Sequence, residues 1–371
     1  MKRFLLAPDS FKGTMSAQEI CSIWEAAILR HIPDAQVRSF PMADGGEGMV
    51  DAFLRICGGE QVIATVSGPF GEPLEAAYGR LPNGTAVIEM AACAGLPLAH
   101  GRLDPMHATT YGVGQLLLHA AQHGAKQAIL GLGGSATNDC GIGMAAALGY
   151  EFFDAQGNAV NPYAENMSNI CKVVPPTSLP ALTVTAACDV DNPLYGPSGA
   201  TYTFGMQKGA TDETLPILDA GLQNLASVLQ RDLHVEVSQV PGSGAAGGLG
   251  AGVFAFLKGS LKPGIDLLLD AAGFDEALAQ ADMVFTGEGR IDWQSAHGKV
   301  PVGISRRAQR HHIPCIALCG AIGKGVEAVY PEGITAVFSA VRGACTFEDI
   351  KATCHDDMAL LIDNVLRVLL L

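Results

Sequence analysis

The chain has 371 residues, 49% hydrophobic and 6% aromatic, with a net charge of −14. That length exceeds one ordinary core, so two domains are expected. So acidic a balance argues against a nucleic-acid partner, since binding a polyanion requires a basic face.

The start reads β-α-β-α. Residues 4–7 form a buried type of strand, and Ser16 with Glu19 forms a capping box. Ile20, Ile23, Trp24, Ala27 and Ile28 then follow at helical spacing. A strand is expected at 36–41 and a helix from about 47 to 56. The rhythm breaks after Gly58-Gly59, where 62–66 and 74–81, separated by Gly68-Pro69 and Gly71, read as a hairpin. An inserted domain is therefore expected. Within it the pattern predicts a strand at 86–90, a helix at 113–123, a strand at 126–130 and a helix at 142–148. A second hairpin-like piece spans 152–160, with its turn signal at 154–157. The polar, Pro-rich 161–180 stretch reads as a surface connection. Leu215, Leu218, Leu222, Leu225 and Leu229 mark an amphipathic helix that tolerates Pro216 in its first turn. Alternation then returns, with helices at 274–281 and 302–311 and strands at 283–286, 315–319 and 336–341. A last helix starts at Thr346 and runs through Ile350, Cys354, Met358, Leu361, Val365 and Leu369. The fold class is α/β: one domain built from both chain ends (1–61 and 261–371), interrupted by an α+β domain (62–260).

The most nearly apolar run, 245–257, is too short and too rich in Gly to span a membrane. Few apolar residues separate Lys2-Arg3 from Pro8-Asp9, too few for a secretory signal. A cytoplasmic protein without a membrane partner is expected. The ten cysteines contain no C-x-x-C pair and read as small hydrophobes in a reducing compartment.

Five strand-like runs end in loops rich in Gly, acidic, or both: FLLAPDS (4–10), FPMADGGEG (40–48), ILGLGGSATND (129–139), TAACDVDN (185–192) and VFTGEGRID (284–292). In α/β sheets ligands bind beyond the carboxyl ends of strands. Gly lets backbone amides approach an anion, and carboxylates hold a divalent cation or take a proton. Together these loops point to an enzyme that handles a phosphorylated, metal-bound ligand.

Two segments satisfy dinucleotide patterns, 242–247 and, with a final Ala, 131–136. No acid closes a compact βαβ unit after the second, since Glu151 falls on the hairpin-like piece, and the first opens a Gly/Ala-rich helix. Phosphate binding at helix-opening amides suits both loops better. A P-loop is absent, because Gly298-Lys299 is followed by Val300 and Gly323-Lys324 by Gly325. Asn138 or Asp139 could also simply cap a helix. Asp44 and Glu47 put two carboxylates on one loop, where a plain cap needs only one. Asp189 and Asp191 suit Mg²⁺ or a catalytic base, or else an Asx turn before Pro193. Glu288 and Asp292 flank Arg290, as in a surface ion pair. Lys12, Lys208 and Lys299, each near Gly, are candidate phosphate or carboxylate clamps.

Taken in order, APDSFKG (7–13), ADGGEG (43–48), IEMA (88–91), GLGGSATND (131–139), CDVDNPL (188–194), FGMQKGA (204–210), 242–248, TGEGRID (286–292) and GKVP (298–301) resemble the type I glycerate kinase family across essentially the whole chain. The resemblance implies a Rossmann/flavodoxin-like parallel-sheet domain carrying an inserted domain. It also implies ATP-dependent phosphorylation of D-glycerate to 2-phosphoglycerate, with ATP and Mg²⁺ as cofactors. On that footing Gly133, Gly134, Ser135, Thr137, Asn138, Gly244 and Gly247 are expected at the nucleotide phosphates, and Asp189, Asp191 and Asp292 at the metal. Asp44 or Asp189 would orient or deprotonate the acceptor hydroxyl. Ser10, Lys12, Glu47 and Arg290 would bind the acid, and Lys208 the transferred phosphoryl group. Phosphorylation at the 3-hydroxyl, an NAD-dependent hydroxy-acid dehydrogenase, a non-catalytic metabolite-binding regulator and a homodimer stay open.

Overall fold

The computed structural model describes residues 2–42, 48–99 and 101–371. The chain divides into two compact units, Met1–Gly48 with Ile265–Leu371, and Met49–Gly264.

The first unit is a five-stranded parallel sheet in the order Ile334–Ser339, Cys315–Cys319, Met283–Gly287, Arg3–Pro8, Gln36–Ser39. Strand Cys315–Cys319 is buried throughout and Arg3–Pro8 after its first residue, as expected for a sheet covered on both faces. Helices Ala17–His31 and Phe347–Leu369 pack together on one face, in a cluster that includes Trp24, Phe285, Met358 and Ile362. The helix Val300–Arg310 packs on the three central strands and on the edge strand Ile334–Ser339. Each long helix starts at a capping box, Ser16 with Glu19 and Thr346 with Asp349. The strand order is flavodoxin-like. From Arg3–Pro8 the chain steps first to one side and later to the other, so the sheet has its topological switch point between Arg3–Pro8 and Met283–Gly287.

The second unit holds a six-stranded sheet: Ser260–Lys262, Thr183–Ala187, Gln127–Gly131, Ala86–Glu89, Pro73–Arg80, Glu60–Ser67. The last two strands form the antiparallel hairpin, in register from Glu60 opposite Arg80 to Ser67 opposite Pro73. The first four are parallel to one another. Helix Met49–Cys57 lies on this sheet, with Val50 and Leu54 against Gly79, so the boundary falls at 48/49 where the sequence rhythm suggested 61/62.

The 161–180 stretch is more structured than its polarity suggested. It contains the 3₁₀ helix Ala164–Asn169 and the strand Lys172–Val174, which pairs with Glu151–Phe153. Spaced apolar residues (Ala164, Met167, Ile170, Val173) anchor it in the core, and Asn224 donates to the Met167 and Ile170 carbonyls. The hairpin-like piece reduces to one bridge, Phe153 with Ala159, over a turn in which Asp154 accepts the Gln156 and Asn158 amides. All ten cysteines are free thiols. Among the described residues no helix is long and apolar enough to cross a membrane.

Candidate active site

In the second unit, strand Gln127–Gly131 delivers the 132–139 loop at its carboxyl end. Gly133 and Gly134 form its exposed tip, and their amides donate to nothing among the described residues. Behind them Ser135, Thr137 and Asn138 are buried. Lys208, a candidate clamp from its place beside Gly209, is buried too. Its Nζ donates to Ser135 Oγ at 2.8 Å and to the Thr137 carbonyl at 2.7 Å. Burial pushes the Lys208 pKa down to about 7, with the charge of Asp139 working in the opposite direction.

Asp139 settles as the cap. Its carboxylate accepts the Thr110 amide (2.9 Å) and hydroxyl (2.8 Å) and the Gly141 (3.1 Å) and Gly143 (3.3 Å) amides. Burial raises its pKa while these donors lower it. The expectation that helix-opening amides of this loop face a phosphate is corrected here. Helix Ile142–Ala147 starts beyond Asp139, and its first amides already have partners: Ile142 donates to the Asp139 main-chain carbonyl, Gly143 to the Asp139 carboxylate and Met144 to the Thr110 hydroxyl. The loop amides left without partners among the described residues belong to Gly133, Gly134, Ser135, Thr137, Asn138 and Asp139.

The 242–248 loop also differs from its reading as a Gly/Ala-rich helix start. Residues 235–240 form no strand, and Ala246, Gly247 and Gly248 have φ of 53°, 66° and 89°, a left-handed turn before the helix proper. A Cβ on Gly247 would lie 2.1 Å from the Thr137 carbonyl oxygen, and the Gly247 carbonyl accepts the Cys140 amide at 3.0 Å. The close approach that requires glycine is therefore to the other Gly-rich loop. Gly244 sits against the Pro193 carbonyl in the same way and donates to the Asn192 carbonyl. Around these packed loops, Thr137 Oγ1, Asn138 Oδ1 and Ser243 Oγ are buried and have no hydrogen-bond partner among the described residues. Buried polar atoms are nearly always satisfied, so such a set calls for an ordered water or a bound polar group. Ser243 was not singled out from sequence; its only signal was its place between two glycines.

Asp189 and Asp191 lie two and four residues past the end of strand Thr183–Ala187, and both are exposed. Strand alternation does not govern them there. Asp189 Oδ1 accepts the Gly264 amide at 3.0 Å. Among the described residues no group of three or more His, Cys, Asp or Glu side chains could hold a metal. Mg²⁺ commonly takes only one or two carboxylates beside substrate phosphates, and an exposed aspartate pair fits that donor set.

In the first unit the loops after Arg3–Pro8 and Met283–Gly287 meet at the switch point. The Asp9 amide donates to the Gly287 carbonyl at 2.8 Å, and a Cβ on Gly289 would lie 3.6 Å from Phe11 Cα. Ser10 is half-buried, with its amide on Asp9 Oδ1 at 2.7 Å, and Lys12 is exposed. Glu288 is buried. It accepts the Ser295 hydroxyl at 2.5 Å and Lys299 Nζ at 3.2 Å. Burial raises its pKa, and the Ser295 hydroxyl and Lys299 pull it back. Asp292 caps the short helix Trp293–His297 through the Gln294 amide at 3.0 Å and pairs with Arg290 Nε at 3.4 Å. Asp44 and Glu47 lie outside the described residues.

A model of the glycerate kinase family matches residues 4–370. A glycerate kinase of Bacillus cereus (strain ATCC 10987 / NRS 248) is 41% identical over 371 residues, covering 99% of this chain and 97% of that one. A glycerate 2-kinase of Escherichia coli (strain K12) is 41% identical over 372 residues, with 99% and 98% covered. The crystal structure of a Salmonella typhimurium LT2 protein assigned as glycerate kinase 2 superposes with a TM-score of 0.84 at 40% identity, covering 99% of this chain and 98% of that one. The chain belongs to the glycerate kinase family, and it is a kinase.

Proposed function

We propose that the protein transfers the γ-phosphoryl group of ATP to the 2-hydroxyl of D-glycerate, giving 2-phosphoglycerate and ADP, in the cytoplasm. The observation that carries this is Lys208, a buried ammonium clamped to a loop in which the Gly133, Gly134, Thr137 and Asn138 amides and the buried Thr137 hydroxyl have no partner among the described residues. A ready set of donors around one cation suits phosphate oxygens. Gly133, Gly134, Ser135, Thr137 and Asn138 then hold the nucleotide phosphates. Gly244 and Gly247 act by letting the second loop pack behind them.

Lys208 meets the phosphoryl group in flight. Mg²⁺, when bound, neutralises phosphate charge, and Asp189 and Asp191 are the pair to hold it. Asp292 is committed to its cap and to Arg290. Ser10, Lys12, Glu47 and Arg290 take the acid substrate. The reaction breaks the bond between the γ-phosphorus and the bridging oxygen and forms one to the acceptor oxygen, whose proton passes to Asp44 or Asp189. Such transfer asks mainly for alignment and charge stabilisation. The dehydrogenase alternative loses its footing, because the 242–247 pattern follows no strand and turns left-handed.

Incubation with Mg-ATP and a panel of small hydroxy acids, read by phosphorus NMR, tests the proposal. The expected product from D-glycerate couples to a CH. Coupling to a CH₂ would mean 3-phosphorylation, and ATP untouched by every acid would remove the activity.

A further inference from the structure

The segment from Glu288 to Lys299, after the central strand at the switch point, carries two ion pairs of the same design. In each, a shielded carboxylate holds an accessible cation. The Glu288 side chain is 9% exposed and its partner Lys299 43%; the Asp292 side chain is 16% exposed and its partner Arg290 67%. Burying a carboxylate is costly, and a purely structural position would be served as well by a neutral side chain. The arrangement is fixed from several sides. Ser295 donates to Glu288, and Arg290–Ile291 pairs with Ala321–Ile322. The missing side chain of Gly323 lets the backbone rest on the second pair, since a Cβ there would lie 2.6 Å from Asp292 Cβ and 2.8 Å from Arg290 Nε. The result is two presented cations on a rigid base.

We infer that Lys299, anchored by Glu288 and acting with Arg290, recognises the carboxylate of the acceptor acid, with Glu288 as its positioning residue. The charge balance selects this ligand class. Two cations against two carboxylates leave little net positive potential, which suits a monoanion better than a triphosphate. Location agrees, because ligands of open α/β sheets bind at the switch point. The inference rests on the proposed acid substrate, so binding and turnover are measured separately.

The test is titration of D-glycerate, without nucleotide, into wild type, Lys299→Met, Lys299→Arg and Glu288→Gln, with steady-state kinetics on the same proteins. Losing a charged hydrogen bond should weaken acid binding and raise KM for the acid roughly 10- to 100-fold in Lys299→Met. KM for ATP should not move, and Lys299→Arg should recover most of the loss. Glu288→Gln keeps the shape and the Ser295 contact but frees the cation. It should move KM for the acid in the same direction with kcat largely retained, a split that a merely structural role would not produce. Unchanged acid binding in Lys299→Met, or a rise in KM for ATP instead, overturns the inference. A wild type that binds D-glycerate without phosphorylating it overturns the proposed function and leaves the binding comparison to decide this one.

Discussion

Asp189 gives one carboxylate oxygen to the Gly264 amide, a bond that an asparagine side-chain carbonyl can keep. Asp189→Asn should therefore fold normally while losing the charge that holds a metal or takes a proton. The expected loss in kcat is on the order of 10²–10⁴. Steady-state assays beside thermal melts check it, and near-normal turnover in a well-folded variant would take Asp189 out of the chemistry. Lys208 makes a different prediction. With its pKa pushed down to about 7, it is charged below that pH and neutral above. If its charge grips a phosphoryl oxygen, kcat/KM for ATP should fall as pH rises through about 7. A profile flat from about pH 6 to 9 would contradict that. Stability moves the other way. Between the folded and unfolded pKa values the unfolded chain holds a proton that the folded one lacks, so this group adds stability with rising pH there. The Ser16 cap was legible because both partners lie within one turn. The burial of Lys208 was not, since its Ser135 partner is 73 residues away.

At the scale of elements, strands and amphipathic helices were readable because their hydrophobic period is local. The glycine loops were not, because a Gly-rich pattern looks alike whether the backbone approaches a diphosphate or another loop. Two substitutions separate those cases. A methyl group added at Gly133 would meet nothing within 4 Å, and φ there is not left-handed, so Gly133→Ala should leave the melting temperature unchanged. Gly247→Ala puts a methyl 2.1 Å from the Thr137 carbonyl at a φ of 66°. Left-handed backbone alone costs a non-glycine residue of order 1–3 kcal/mol. Ala246 already bears that conformation, so the clash adds to it here. A fall of several degrees in melting temperature, with turnover lost as the 137–139 loop is displaced, is expected. Calorimetry showing equal melting for the two variants would refute the packing account. The 161–180 stretch was misjudged for a related reason, because four anchoring apolar residues are diluted by prolines and polar side chains.

For the whole molecule, the alternation of strands at both ends of the sequence, broken by a hairpin, was enough to foresee a parallel sheet interrupted by an insertion. What the pattern could not supply was strand order, and with it the switch point that brings the loops of residues 9–12 and 288–292 together. That order depends on pairings such as Arg3–Pro8 with Met283–Gly287, for which nothing local gives a signal.

The same pairing has a consequence for how the protein is made. Strand Arg3–Pro8 and helix Ala17–His31 leave the ribosome early, but Thr286, which donates to the Ala7 carbonyl, is translated 279 residues later. At about 5–20 residues per second that is a wait of roughly 14–56 s. All the residues of the second unit are translated during that wait. Meanwhile one edge of Arg3–Pro8 offers unpaired backbone groups to any passing strand. The nascent chain must keep its first strand out of wrong pairings until its neighbour arrives, so the speed of translation through the insertion sets how long the first unit stays vulnerable.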